Sequence, residues 1–285
     1  MATPTVRTVA SYNTHQEHSI DFFGNELIVT VTSSPTVISR WLSNVRNSNC
    51  RPYSSHPPVV GVGVQWTPAG FHSNPPPNSF YSDQLSGSYY SDQHSGNYSD
   101  QQSGNYYDDE PQASNYYADP PPGSYYEDPS PGNYYTSPPS RSYVDPPPDT
   151  LQLCIGNRCL IIKLSHCNRI PNDLRSFLTD PQTTFVGVWN GQDARKLAQS
   201  LHRLEIGELH DIRNYVADSE GRSLRSCSFE VIVEECLGYY GVRLDPEISM
   251  SDWSVYSLFD EQILQASLDA YVCSELGVWA RLWEV

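Results

Sequence analysis

The stretch Val59-Val60-Gly61-Val62-Gly63-Val64-Gln65-Trp66 decides the prediction of the fold. Its valines alternate with glycine, and proline bounds the run on both sides, a pattern typical of a buried central β-strand. Side chains along a strand alternate between its two faces. Gly61, Gly63 and Gln65 therefore share one face, which is small or polar and carries no charge, while Val62 and Val64 point to the other.

The sequence before this strand predicts one strand and one helix. Residues 1–20 are polar and lack a periodic pattern, so we predict a flexible N-terminal lead-in there. Residues 27–32 are predicted to form a strand. The sequence Ser-Ser-Pro at 33–35 then starts a helix, with serine as the N-cap and proline at the first helical position. Apolar residues at helical spacing continue this helix to about residues 47–49.

The composition changes completely over residues 74–149. Tyrosine recurs about every nine residues, so that 13 of the chain's 20 tyrosines and 14 of its 23 prolines lie in this segment. Valine, isoleucine and leucine are nearly absent, and acidic residues far outnumber the single basic one. Such a composition buries too little apolar surface to offset the entropy of ordering. We predict a long disordered insertion rich in tyrosine, proline and aspartate.

The sequence after the insertion predicts alternating strands and helices. Residues 151–155 and 159–164 form a hairpin across a Gly-Asn-Arg turn, and residues 184–189 form a further strand. A short helix is predicted from Pro171 to Leu178, another after Gly191, a third over about 224–237 and a last one over about 260–282. The predicted fold is α/β, with a mixed sheet flanked by helices. One domain over residues 21–73 and 150–285 is interrupted by the insertion.

Charge and cysteine content limit the classes of partner. The chain has 33 acidic and 17 basic residues and a net charge of −16, so any contact with nucleic acid needs a local basic patch. The seven cysteines contain no CxxC pair, and we expect reduced, mostly buried thiols. The sequence has no signal-peptide pattern and no long apolar run, so we expect no membrane association.

Several segments, in matching order, resemble the plant Werner-syndrome-like 3′–5′ exonucleases of the DEDD superfamily. They are residues 21–24, 59–66, 151–154, 185–188, 193–197, 250–253 and 262–271. The resemblance covers about 185 residues on either side of the insertion. It implies a ribonuclease-H-like fold and a nuclear or cytoplasmic location.

The family's chemistry uses four carboxylates, which hold two Mg²⁺ or Mn²⁺ ions, and a tyrosine that orients the attacking water. The resemblance places the first two acids of the family at Gly63 and Gln65, the third at Asp193 and the fourth at Asp269. The tyrosine position is Gln265. Three of the five positions are therefore substituted. Glutamine keeps the shape of glutamate without its charge, and glycine leaves a gap. The resemblance leaves at most a weak metal site at Asp193 and Asp269, so Mg²⁺ or Mn²⁺ binding is doubtful.

Three hypotheses of function follow. The first is a 3′–5′ exonuclease domain that is inactive or strongly impaired and acts as a module for weak nucleic-acid binding or protein interaction. The second is an active, metal-dependent exonuclease on DNA or RNA that uses Asp193 and Asp269. The third places the function in residues 74–149, whose regularly spaced tyrosines provide multiple weak contacts to protein partners. Lys196, Arg195 and Arg203 either line a nucleic-acid track or form the solvated face of their helix.

Overall fold

The computed structural model describes residues 4–49, 56–71 and 145–285. Within these ranges the strands are β1 Thr5–Ser11, β2 His15–Phe22, β3 Asn25–Thr32, β4 Val59–Gln65, β5 Thr150–Ile155, β6 Arg158–Lys163, β7 Thr184–Gly187 and β8 Leu209–Asp211. The helices are α1 Pro35–Asn49, α2 Asn172–Leu178, α3 Asp193–Gln199, α4 Phe229–Leu237, α5 Pro246–Ser249 and α6 Asp260–Trp279. Single 3₁₀ turns lie at Leu164–His166, Ile212–Asn214 and Leu282–Glu284.

The eight strands form one mixed sheet in the order β1-β2-β3-β6-β5-β4-β7-β8. β3 pairs with β6, β4 with β7, and β7 with β8 in parallel, and the other neighbours are antiparallel. β4 is an interior strand, and six of its seven residues are buried. The predicted α/β class, with a mixed sheet flanked by helices, is confirmed.

Two hydrophobic cores lie on opposite faces of the sheet. The α6 core includes residues of α4 and α6, and the α1 core includes residues of α1 and α2. Val60, Val62 and Val64 of β4 all belong to the α1 core. Gly61 and Gly63 face α6 instead. The predicted division of β4 into a valine face and a small face is confirmed.

The prediction of a flexible lead-in at residues 1–20 is wrong for the strands that begin at Thr5, and residues 1–3 lie outside the described residues. β1 pairs with β2, and β2 pairs with β3, so the two strands extend the sheet at one edge. The side chains of Ile20 and Phe22 are fully buried in the α6 core. Because most residues of β1 and β2 are polar or exposed, these strands form through cross-strand pairing, β1 with β2 and β2 with β3, more than through their own apolar pattern.

The hairpin β5–β6 is confirmed, and its turn contains Gly156 in the left-handed region at φ +54°. Cys154 and Cys159 lie directly opposite each other on the two strands and form a disulfide. This pairing differs from the expectation that all cysteines are reduced. Four other cysteines within the described chain are free.

The three helices predicted after Gly191 are present, although their bounds differ from the predicted ones. The helix after Gly191 ends at Gln199, so Leu201 lies beyond it and is 90% exposed. α6 buries both apolar and polar residues along its length, including Asp269. Within the described ranges, no helix is long and apolar enough to span a membrane.

Most of the predicted insertion at 74–149 lies outside the described residues. Residues 145–149 are described, and they belong to the folded domain. Asp149 is buried, and its carboxylate accepts hydrogen bonds of 2.7 Å from both the amide and the hydroxyl of Thr67. The folded domain therefore includes residues that the sequence pattern assigned to the insertion.

Candidate active site

The candidate site begins with a close approach between β4 and α6. A Cβ atom on Gly61 would lie 1.7 Å from the carbonyl oxygen of Ala270 and 2.8 Å from the amide nitrogen of Ser274. Only glycine permits the helix backbone to lie this close to the strand. The approach continues at Val59, whose carbonyl oxygen accepts a 3.2 Å hydrogen bond from the Ser274 hydroxyl. This packing brings the middle of α6 against the small face of β4.

Asp269 reaches the next small position on the strand. A Cβ on Gly63 would lie 3.1 Å from Oδ2 of Asp269 and 2.8 Å from Oε1 of Gln152. Gln152 lies directly opposite Gly63 on β5, so its side chain projects to the same face. The gap left by glycine is therefore bordered by a carboxylate from α6 and an amide from β5.

Gln152 has an unmatched buried acceptor. Its side chain is 1% exposed, and its amide nitrogen donates a 2.6 Å hydrogen bond to the Thr150 hydroxyl. Its Oε1 atom has no hydrogen-bond partner in the part of the chain that the structure describes. A buried carbonyl oxygen without a donor is costly, and such groups are uncommon in folded proteins.

Asp193 is the first residue of α3 and is 7% exposed. Burial raises its pKa to about 7, with a smaller upward contribution from Asp211, while the charge of Lys196 acts in the opposite direction. Burial also raises the pKa of Asp269 to about 7, and the nearby charge of Asp193 adds to the increase. The structure therefore brings the two retained carboxylates together in one buried region.

The raised pKa of Asp269 predicts a pH-dependent gain in stability when it is replaced by asparagine. The folded state holds the Asp269 proton more tightly than the unfolded state, so stability falls as pH rises from about 4 to about 7 and stays lost above that. Because asparagine does not titrate, we expect the gain of Asp269→Asn at pH 8 to exceed its gain at pH 5 by roughly 2 kcal/mol. Urea unfolding at both pH values measures this difference. The exposed Glu261→Gln on the same helix is the control, and an equal change in both variants would contradict the prediction.

Gln65 and Gln265, the other two substituted positions, have surroundings that differ from those of Gly63. Gln65 is the last residue of β4 and is half-buried, with its backbone paired to Thr150. Gln265 turns toward the loop before α5. Its Oε1 accepts a 2.7 Å hydrogen bond from the amide of Asp245, and its Nε2 donates to the Ser249 hydroxyl at 2.7 Å. Gln265 lies one helical turn before Asp269 on α6, and its two hydrogen bonds anchor α5 and the residue that precedes it.

Lys196 is buried, with only 2% of the residue exposed. It therefore fits neither of the two alternatives given for it, a nucleic-acid track or the solvated face of its helix. Its Nζ donates to Asp145 Oδ1 at 2.8 Å and to the Pro146 carbonyl at 2.7 Å, and it lies 4.2 Å from the centre of the Trp66 ring. Arg195 also pairs with Asp145, at 3.3 Å. These contacts fix the start of the 145–149 segment against α3 and the end of β4.

Trp189 is an exposed aromatic close to the candidate site. It lies between β7 and α3, is 47% exposed, and has a φ of +49°, a conformation that is uncommon for a bulky residue. The guanidinium of Arg213 lies 5.4 Å from the ring centre and is held by two-pronged contacts to Asp211.

The residues present do not fit a two-metal centre. Two divalent ions need several carboxylates around them, and the strand position beside Asp269 is a glycine bordered by a neutral amide. Over residues 4–49, 56–71 and 145–285, no group of three or more His, Cys, Asp or Glu side chains is arranged to hold a metal ion.

Comparison with known families gives a match over the second part of the chain. Residues 150–284 match the family model described as "3'-5' exonuclease". The match covers 135 of the chain's 285 residues, just under half. It starts at β5 and contains Asp193, Gln265 and Asp269, whereas Gly63 and Gln65 lie outside it. Comparison with curated protein sequences gives no match.

Solved exonuclease structures are similar to this chain at a coarse level. Escherichia coli RNase D is 25% identical over 48% of this chain, with a TM-score of 0.38, and the chain spans 36% of the length of RNase D. The catalytic core of RRP6 from Trypanosoma brucei is 13% identical over 90% of this chain and 46% of its own, with a TM-score of 0.46. The EXD2 exonuclease domain is 16% identical over 88% of this chain and 87% of its own, with a TM-score of 0.35.

Proposed function

We propose that this protein is a Werner-like 3′–5′ exonuclease-domain protein whose catalysis is lost or strongly impaired, and that it acts as a module for binding nucleic acid or protein. The proposal rests on the two side chains that border Gly63, those of Gln152 and Asp269. Where the family resemblance places an acid, the chain has no side chain, and the neutral amide of Gln152 borders the gap beside Asp269. A neutral amide cannot balance the charge of two divalent ions.

The alternative is a metal-dependent exonuclease that uses the retained carboxylates. The pKa shift that Asp193 imposes on Asp269 supports it, because the two acids are close enough to interact. Single-cation sites with one or two carboxylates plus phosphate oxygens are used for Mg²⁺. Mg²⁺ or Mn²⁺ is the cofactor of this alternative.

A nuclease assay separates the two functions. The native chain and Asp269→Ala are incubated with 3′-labelled single-stranded and 3′-recessed DNA and RNA, in Mg²⁺ and in Mn²⁺. We expect no digestion from the 3′ end by either protein above a buffer control. Metal-dependent digestion by the native chain that Asp269→Ala abolishes would overturn the proposal and favour the alternative.

The nucleic-acid-binding part of the proposal depends on Trp189. An exposed ring with a guanidinium beside it suits stacking against an unpaired base, which contributes about 1–3 kcal/mol per base. We expect Trp189→Ala to weaken the binding of a single-stranded oligonucleotide about fivefold or more in fluorescence anisotropy at low salt. Trp279→Ala is a matched control, because Trp279 is 46% exposed. Equal losses in both variants, or no binding by the native chain, would count against the nucleic-acid role and leave protein interaction.

A further inference from the structure

A cavity of about 70 Å³ lies between α1 and the part of the sheet formed by β2, β3 and β6. Its sheet wall includes Thr30 of β3. The neighbouring Val29 and Val31 point to the α6 core, so Thr30 points to the opposite face. The cavity is therefore on the other side of the sheet from Gly63 and Asp269.

Two arginines line this cavity, Arg40 of α1 and Arg158 at the start of β6. Neither guanidinium has an ion pair or a hydrogen bond within residues 4–49, 56–71 and 145–285. Arginine presents several N–H donors in a planar fork, which matches the oxygens of a phosphate group.

Thr30 adds an unmatched polar group to the same wall. Thr30 is only 7% exposed, and its hydroxyl has no hydrogen-bond partner among the described residues. The hydroxyl is not among the buried polar atoms that lack a partner, so solvent reaches it, and a ligand oxygen in the cavity would accept its hydrogen bond in place of water.

One acidic residue, Glu17, also lines the cavity, opposite Thr30 on β2. Its carboxylate lies 3.6 Å from Nε2 of His15, whereas no arginine nitrogen of the described ranges is within ion-pair distance of it. Glu17 is thus directed toward the imidazole and leaves the two guanidinium groups without a carboxylate partner. The cavity has two fixed positive charges and one negative charge, which favours an anion.

We infer that this cavity binds a phosphate group, with Arg40 and Arg158 contacting its oxygens and the Thr30 hydroxyl donating to a third. The ligand class is a single phosphate, either free or as the terminal phosphate of a nucleotide or nucleic-acid strand. A cavity of about 70 Å³ holds a few water molecules or one tetrahedral oxyanion, and a larger group would extend into solvent. This inference does not depend on the function proposed for the Asp269 site.

Calorimetric titration and thermal unfolding of the full chain test the inference. Inorganic phosphate is compared with sodium chloride at equal ionic strength. We expect saturable binding that raises the melting temperature only with phosphate. Arg40→Gln combined with Arg158→Gln should lower the affinity at least tenfold, and the nearly isosteric Thr30→Val should lower it about threefold. The control is Arg169→Gln combined with Arg225→Gln, which removes the same charge from two exposed arginines that do not line the cavity.

The outcomes are distinguishable. No phosphate response in the native chain beyond that of chloride, or an equal loss in the control variant, overturns the inference. Circular dichroism of each variant without phosphate verifies that the fold is retained, and Thr30→Val keeps the test valid if the arginine variant unfolds. Tighter binding of a 5′-phosphorylated oligonucleotide than of the same strand without phosphate assigns the site to strand ends, whereas equal affinities with saturable inorganic phosphate binding assign it to free phosphate.

Discussion

Replacing Gly61 with alanine is expected to lower the free energy of unfolding by about 3 kcal/mol or more. The added Cβ would lie 1.7 Å from the Ala270 carbonyl oxygen and 2.8 Å from the Ser274 amide nitrogen, so backbone must move. Backbone atoms cannot rotate away as a side chain does, and overpacking of this kind reaches or exceeds the upper part of the usual 1–3 kcal/mol range. For a domain of this size, the loss corresponds to a fall of about 6–12 °C in melting temperature.

Two other glycine positions are controls for this prediction. A Cβ on Gly191 would meet nothing within 4 Å, so Gly191→Ala should change stability by less than about 0.5 kcal/mol. A Cβ on Gly63 would meet mainly side chains, which can shift, so Gly63→Ala should fall between the two. Urea unfolding of the three variants gives the order. If Gly61→Ala is as stable as Gly191→Ala, α6 does not pack on β4 as closely as described.

The sequence predicts well those features that local patterns determine. The alternation of valine and glycine in β4 is a local property, and both the buried position and the division into two faces are confirmed. The helix starting at Pro35 and the hairpin around Gly156 depend on capping and turn residues only a few positions away, and both are present.

The features that the sequence does not predict depend on distant partners. β1 and β2 carry mostly polar or exposed residues; β2 is held by pairing with β3, and β1 by pairing with β2. Lys196 is charged and lies on a short helix, so its burial could not be foreseen without its two partners. Asp145 lies 51 residues before it, and Trp66 lies 130 residues before it. Contacts at such separations leave no periodic signal in the chain.

The candidate site likewise combines residues that the sequence identifies with a neighbour that depends on long-range pairing. The resemblance named Asp193 and Asp269, and the structure brings them close enough to interact. It did not name Gln152, although a single glutamine in an apolar strand is visible in the sequence. The pairing of Gln152 with Gly63 depends on the register between β4 and β5, which are separated by residues 66–149. No short-range turn fixes that register, so the neighbour of Gly63 could not be identified from the sequence.

Restoring the strand acids is expected to restore metal binding only when Gln152 is also removed. In Gly63→Asp with Gln65→Glu, the new side chain at position 63 starts 2.8 Å from Oε1 of Gln152 and 3.1 Å from Oδ2 of Asp269. The amide then occupies space that a cation and its oxygen ligands need. Adding Gln152→Ala opens this space and leaves carboxylates on both sides of it, an arrangement that hard divalent cations bind.

The measurement is the shift in melting temperature that Mn²⁺ causes, because it reports binding whether or not catalysis returns. A ligand at 100 times its Kd stabilises the folded state by about 2.7 kcal/mol. For a domain of this size that is a rise of about 5–10 °C, expected in the triple variant that contains Gln152→Ala. With Gln152 retained, we expect a rise of less than about 2 °C. Gln152→Ala alone is the control for removal of the amide, and it should show no response to Mn²⁺.

The two failures have different meanings. Equal Mn²⁺ responses with and without Gln152 would show that the amide moves aside readily and that the missing charge at position 63 is the whole obstacle. No response in either background would show that positions 63 and 65 are not the places of the family's strand acids. Because Gln265 anchors Asp245 and Ser249, its replacement by tyrosine is left out of this test, so that loosening of that loop does not obscure the metal response. A response that requires Gln152→Ala would mean that this site differs from the family's pattern in two ways, by a missing acid and by an amide that borders the gap the acid left.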